Sequence, residues 1–305
     1  MIELITVILA AAARMGTPIV LAAYGELLSE RSGVLNLGTE GGMIMGAFTS
    51  FYVYLITDNF LLSLLVAMIA GAVMSSFLVV TSVWLRANQI VAGIGIWLLG
   101  FGMSGFLMRA LEVPHVNIKL LESIKIPLLS EIPILGPAFF DQNVLVYTAF
   151  LLAPAIWLFL FKTSAGLRIR SVGENPKAAT TVGVRVNLVR AVSVIGGGAL
   201  VGLGGAALAH SSLATFIEGA TAFRGFIAIA VVIFSGWNPF WVLGGGLLIG
   251  GVESIQMRIQ LLGTPIPYRF LTMLPYIVPL VILLIMARRR RHQAPLALGQ
   301  SFPAE

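Results

Sequence analysis

The sequence predicts an all-α integral membrane protein, a bundle of about nine to ten transmembrane helices, and three observations lead there. Of 305 residues, 58% are hydrophobic and only 10% are charged, less than half the charged share of an ordinary soluble domain. Apolar runs long enough to cross about 30 Å of hydrocarbon recur from one end of the chain to the other. The runs are continuous rather than alternating, which favours helices over a β-barrel, because backbone polar groups in lipid must be satisfied within the segment. No stretch is left over to fold as a separate soluble domain of ordinary size.

The runs fall at residues 16–30, 41–57, 60–85, 88–108, 144–161, 189–210, 223–235, 241–255 and 269–287, with 2–13 as a possible tenth. The opening "MIELITVILAAAARMG" carries Glu3 where a secretory signal would place lysine or arginine, so a retained helix or interfacial segment is expected. Cations cluster in two places. Lys162, Arg168, Arg170, Lys177, Arg185 and Arg190 fill the loop 162–190, and Arg288, Arg289, Arg290 and Arg291 end the last run. Both are expected in the cytoplasm. Five runs precede that loop and four follow it, so the parity agrees. The stretch 109–143, with Glu112, His115, Lys119, Glu122, Lys125, Glu131, Asp141 and four prolines, is then an external loop. The expected organisation is a transmembrane domain over 1–290 and a cytoplasmic tail over 291–305.

Composition also excludes functions. The net charge of +6 lies in loops and a tail rather than on one basic face, which argues against nucleic-acid binding. Cysteine is absent and the three histidines are scattered, so neither a disulfide nor a metal site is expected. No GxxxxGK[ST], HExxH or GxSxG motif occurs, so the chain is not expected to be an enzyme or to hydrolyse ATP itself.

Two stretches break the pattern of plain spans. "RSGVLNLGTEGGMIMG" (31–46) and "TFIEGATAFRGFI" (215–227) interrupt the apolar sequence with glycines and charges. Paired interruptions in two halves of a membrane chain point to two inverted repeats with discontinuous helices lining a polar path. Glycine runs such as "GGGALVGLGG" (196–205) and "GGGLLIGG" (244–251) suit close helix packing. Gly202, Gly204 and Ala207 formally fit a GxGxxA loop, but no βαβ setting surrounds them.

Ionisable residues at membrane depth cost about 2.5–3.5 kcal/mol on insertion scales, so each is a functional candidate. Glu40 lies four residues after Asn36, on one face if helical, with Met43 and Met45 following. Asn36, Glu40, Met43 and Met45, with Asn88 and Gln89 at the start of another run, are the candidate substrate path. Glu40 also reads as a cap of the helix beginning at Gly41. Glu218 and Arg224 read as a structural pair or, for Arg224, an anion contact; Glu253 reads as an interfacial anchor. These three are the structural or gating candidates.

The polar island "GENPKAATTVGV" (173–184) holds Asn175-Pro176, which ends one helix and starts the next. A short helix facing the cytoplasm is a surface for another protein to hold. This island, with "SERSGVLNLGTEGGMIMGAF" (29–48), "RANQIVAGIG" (86–95) and "FRGFIAIAVVIFSGWNPFWVLGGGLLIGGVESIQMRIQ" (223–260) in that order, resembles permease subunits of bacterial ABC importers for nucleosides and simple sugars, relatives of the ribose and branched-chain amino acid permeases. The resemblance implies a chain of the plasma membrane with a cytoplasmic C-terminus. It pairs with a second permease, in the nucleoside branch usually a different one. It docks on cytoplasmic ABC ATPase subunits, which carry the ATP and Mg, and receives solute from a substrate-binding lipoprotein; no cofactor belongs to the chain itself. The resemblance makes 173–184 the coupling segment, with Gly173, Glu174, Asn175, Pro176 and Ala178 as docking residues. Neutral amides and methionines suit uncharged nucleosides. An ion-coupled secondary carrier, a simple-sugar permease and a non-transporting membrane scaffold are the rival readings.

Overall fold

A computed structural model describes residues 2–114, 116–127, 129–261, 267–287 and 294–300. The expectations for His115, for Arg288 to Arg291 and for both ends of the tail lie outside the described residues. Nine long or apolar helices account for the nine principal runs: α1 (Ile2–Arg31), α2 (Thr39–Thr57), α3 (Phe60–Leu78), α4 (Gln89–Ala110), α6 (Val144–Lys162), α9 (Val186–Leu208), α10 (Arg224–Phe234), α11 (Pro239–Leu261) and α12 (Tyr268–Ala287). Five precede the polar island and four follow it. α3 and α9 each run on into a π-helical turn, Val79–Trp84 and Ala209–Leu213. The island itself forms α7 (Ser164–Glu174) and α8 (Pro176–Thr181). Between α4 and α6 lie α5 (Leu135–Phe139) and a two-residue antiparallel ladder, β1 (Ile124–Lys125) with β2 (Asp141–Gln142), registered Ile124 to Gln142.

The possible tenth segment is not separate. Residues 2–13 and 16–30 merge into the 30 residues of α1, about 45 Å at 1.5 Å per residue. A lone arginine does not end a helix: Arg14 projects outward and donates through Nε to Gln142 Oε1 at 3.0 Å. Pro18 lies inside α1, where it removes a single backbone donor.

Among the described residues, seven helices are long and apolar enough to cross a bilayer by length and composition. The two cores outside that set are α2 and α10, the helices that follow the interrupted stretches. α2 begins with Thr39, Glu40, Gly41 and Gly42. α10 has 11 residues, about 16 Å of helix against a hydrocarbon thickness of about 30 Å.

α9 is the axis of the bundle, with 72% of its apolar window buried. In lipid there is no hydrophobic drive between helices, so they must approach closely enough for backbone van der Waals contact. Its glycines permit that on three sides. A Cβ at Gly197 would strike the carbonyl of Gly25 on α1; one at Gly202 would strike that of Ala67 on α3; one at Gly205 would strike that of Met43 on α2. The GxGxxA match at Gly202, Gly204 and Ala207 is therefore a helix-packing surface.

The contacts also fix direction. The Arg31 end of α1 packs against Gly173 at the end of α7. α2 starts near Glu26 of α1 and ends where Tyr54 meets His210, ring centroids 5.1 Å apart, beyond the far end of α9. α10 starts against Glu40 and ends by Trp237, whose carbonyl accepts from Arg31. The two helices thus begin at one level inside the bundle and run to opposite ends, as inverted repeats with discontinuous helices require.

Gly202→Val is expected to prevent close approach of α9 and α3, lowering stability by about 1–3 kcal/mol or more. Gly196→Val, at a glycine with nothing within 4 Å of an added Cβ, should leave it unchanged. Thermal midpoints of the two variants in detergent check the contrast.

Candidate functional site

Both helix breaks leave backbone N–H groups inside the bundle, where no bulk water is available to satisfy them. Carboxylates from neighbouring helices supply the acceptors. Glu40, in the first turn of α2 and 2% exposed, does not cap its own helix. Its Oε1 accepts from Thr221 Oγ1 at 2.5 Å and from Phe223 N at 3.0 Å, and its Oε2 accepts from Gly225 N at 2.6 Å. Three donors at the start of α10 thus converge on one carboxylate, which also opposes the positive end of the helix dipole. Gly225 is obligatory here, because a Cβ would sit 2.5 Å from Glu40 Cα.

The break before α2 is held in the same way from α1. Glu26 accepts from Asn36 N at 2.9 Å and Thr39 Oγ1 at 2.7 Å. One turn further on, Glu30 accepts from Trp237 Nε1 at 2.5 Å, and Arg31 donates to the Trp237 carbonyl at 2.8 Å. α1 therefore grips the entry to α2 and the exit from α10 together. Neither Glu26 nor Glu30 stood out in sequence, since they sit in an ordinary-looking "AAYGELLSER"; two carboxylates in one apolar run were the signal to be read.

Two expectations are corrected, the pairing of Arg224 with Glu218 and the interfacial anchoring of Glu253. Arg224 does not pair with Glu218. It makes a two-pronged ion pair with Glu253, 3.2 Å at Nε to Oε1 and 3.2 Å at Nη2 to Oε2. Glu253 is thus no interfacial anchor but a buried partner, 8% exposed; α11 brings it beside the start of α10. Glu218 instead pairs with Arg109 at the end of α4, 2.7 Å, on an exposed face. Sequence proximity favoured the six-residue separation, whereas packing brought together residues 29 and 109 positions apart.

The remaining candidates are placed as follows. Asn36 is buried and donates to Ser75 Oγ at 3.5 Å. Met43 and Met45 are buried in the bundle. Asn88 caps α4 through Oδ1, accepting from Ile90 N and Val91 N. Gln89 is buried and accepts from Leu35 N at 2.8 Å, while its amide donates to the Gln300 carbonyl at 3.5 Å. In the island, Asn175 Oδ1 caps α8 by accepting from Ala178 N at 3.0 Å, with Pro176 at the first helical position. Glu174, Asn175 and Ala178 are exposed; Gly173 is buried against Arg31 and receives Ala297 N at 2.9 Å. Val182, an apolar side chain left 78% exposed beside α8, was not singled out from sequence.

A polytopic helical bundle whose two broken helices start at one internal level and diverge has the architecture of a membrane transport protein. Residues 8–287 match the family described as branched-chain amino acid transport system, permease component, and the chain belongs to that family. It is 38% identical to the guanosine ABC transporter permease protein NupQ of Bacillus subtilis over 313 aligned residues, covering 98% of this chain and 97% of that one. It is 38% identical to the nucleoside ABC transporter permease protein NupC of Lactococcus lactis over 280 residues, 88% of each chain. A putative glucose ABC transporter permease protein, TsgC13 of Haloferax volcanii, is 37% identical over 262 residues, 83% of this chain and 78% of that one. No solved structure matches the chain.

Glu40→Ala is expected to strand buried donors at about 1–3 kcal/mol each, with Glu40→Gln milder because an acceptor remains. Arg224→Met alone should destabilise by about 3–5 kcal/mol, and Arg224→Met with Glu253→Leu should recover most of the loss. Thermal unfolding of the four purified variants in one detergent checks both statements.

Proposed function

We propose that this chain is the membrane-embedded permease subunit of an ATP-binding cassette importer that moves nucleosides across a bacterial plasma membrane. The observation that carries the reading is the near full-length identity to NupQ and NupC, on a bundle whose broken helices meet in its interior. Asn36, Glu40, Met43, Met45, Asn88 and Gln89 lie on the elements around the proposed path, with Glu40 and Gln89 acting as braces for its irregular backbone. Glu218, Arg224 and Glu253 hold the entry to α10.

In this reading the island of α7 and α8 faces the cytoplasm, as does the C-terminus, and residues 109–143 face outward. The basic residues around the island support that orientation. Glu174, Asn175, Pro176 and Ala178 form the docking foot for an ABC ATPase subunit, which binds ATP and Mg. Gly173 is the joint by which the foot moves α1. A second permease, in the nucleoside branch a different chain, completes the path, and an extracytoplasmic lipoprotein delivers solute. ATP-driven closure of the ATPase pair shifts the bundle between two openings by differential affinity for two states. The name of TsgC13 favours a simple sugar as second reading. Glu40, the residue that an ion-coupled carrier would use as its relay in the sequence reading, is committed to three donors at the start of α10, which weakens that rival.

The complete complex in proteoliposomes is expected to take up labelled guanosine with ATP and lipoprotein present, and not with an ion gradient alone. Uptake driven by the gradient without ATP would overturn the reading. Glu174→Ala with Pro176→Ala is expected to cut uptake per ATP hydrolysed by about 5- to 150-fold, the range of a typical coupling energy, while the permease still inserts and folds. Parallel uptake and phosphate-release assays check it.

A further inference from the structure

The segment 214–223 joins the end of α9 to α10 without helix, with Phe216, Ala220 and Thr221 buried and Ile217, Glu218, Ala222 and Phe223 exposed, and α4 lies alongside it. Trp97, Phe101, Gly105 and Arg109 recur every fourth residue, on one face of α4. Each meets this segment or the start of α10. Arg109 pairs with Glu218, and Gly105 leaves room for the Glu218 carboxylate. Phe101 lies 3.6 Å from where a Gly219 Cβ would stand, and Trp97 packs against Phe223 and Phe226. A lipid-facing position suits this strip poorly. Irregular backbone at membrane depth is tolerated only where it borders protein or a water-filled cavity, and an exposed ion pair shares the strip.

Its inner end is aromatic and open. Phe223 is 50% exposed, and Trp97 and Phe226 are half-buried. Ring centroids are 5.9 Å apart for Trp97 and Phe223, 5.5 Å for Trp97 and Phe226, and 6.1 Å for the two phenylalanines, whose planes are 27° from parallel. Ala222 and Phe223 hold φ of 45° and 59°, a left-handed conformation that side chains larger than glycine rarely adopt. Phe223 is kept there by its N–H to Glu40 and by the Ala222 carbonyl, which accepts from Tyr276 Oη at 2.7 Å. Backbone strain of this kind clusters at ligand clamps and switch regions. At the other end the strip reaches an open hollow of the surface bordered by Met108, Arg109, Glu112, Val113 and Glu218.

We propose that Trp97, Phe223 and Phe226 form a stacking platform for the planar heteroaromatic base of the transported solute, halfway along a path that begins at the Arg109–Glu218 mouth. The proposal rests on the nucleoside-importer reading and names the contact that reading lacks. Stacking accepts any base through its π-face. The charged groups beside the platform are engaged elsewhere, Glu40 by the start of α10 and Arg224 by Glu253, so the solute is held weakly and selected by its ring rather than by its sugar. Glu40 acts on this contact indirectly, by fixing the backbone of Phe223.

The test uses the complete complex in proteoliposomes with tritiated guanosine. Phe223→Leu and Trp97→Leu are expected to lower uptake about tenfold, while Phe223→Tyr and Trp97→Phe, which keep a π-face, lose clearly less. Unchanged uptake in the leucine variants, or equal loss in the leucine and aromatic variants, overturns the platform. Phe223→p-benzoylphenylalanine, irradiated during turnover, should incorporate guanosine label that excess unlabelled guanosine removes and ribose does not. Crosslinking only to lipid or to the second permease chain overturns it. A wild-type complex that moves ribose and not guanosine overturns the nucleoside reading itself, independently of any variant.

Discussion

The structure depends on one constraint: a helix that starts inside a bilayer must find acceptors for its first N–H groups, and water is not there to provide them. Glu40 answers it for α10, through Phe223 N, Gly225 N and the Thr221 hydroxyl. Because Glu40 belongs to the first turn of α2, the start of one broken helix is satisfied by the start of the other. The irregular segment 214–223 and the strained Phe223 persist because this carboxylate over-determines them. An acidic side chain without partners is expensive in hydrocarbon, and that expense is offset here by three donors that would otherwise be unpaired.

α1 extends the same logic to the Arg31 end of the bundle. Glu26 holds the entry to α2, and Glu30 with Arg31 holds Trp237, three residues beyond α10. The same end of α1 packs on Gly173, while Arg190 bridges the Ser32 and Gln300 carbonyls and Ala297 donates to Gly173. The proposed ATPase foot is thus not a loose loop on the surface. It is joined through close backbone contact to α1, the helix that holds the entry to α2 and the exit from α10, so displacement of α7 bears directly on the elements proposed to line the path. Glycine contacts along α9 keep this bundle close-packed without any apolar drive between helices, which lets it move as rigid pieces rather than deform continuously.

Much of the fold was legible in the residues. Continuous apolar runs gave nine helices and their parity about the island, and the glycines and charges at 31–46 and 215–227 marked the two discontinuous helices. Asn175-Pro176 marked the start of α8, where Asn175 caps and Pro176 takes the first position. The boundary between 13 and 16 was misleading, because one arginine and one glycine interrupt hydropathy without interrupting a helix.

The site was less legible, and the reason is physical. Hydropathy and local spacing depend on near neighbours along the chain, so the sequence by itself determined which backbone would break, which residues were too polar for lipid, and which turn would protrude. It left open which carboxylate serves which helix end, since hydrogen bonds and ion pairs act over about 3 Å of space whatever the separation in sequence. Only the tertiary structure decided that Glu40 caps a helix 185 residues on, that Arg224 belongs to Glu253 and Glu218 to Arg109, and that Trp97 meets Phe223 across the broken segment.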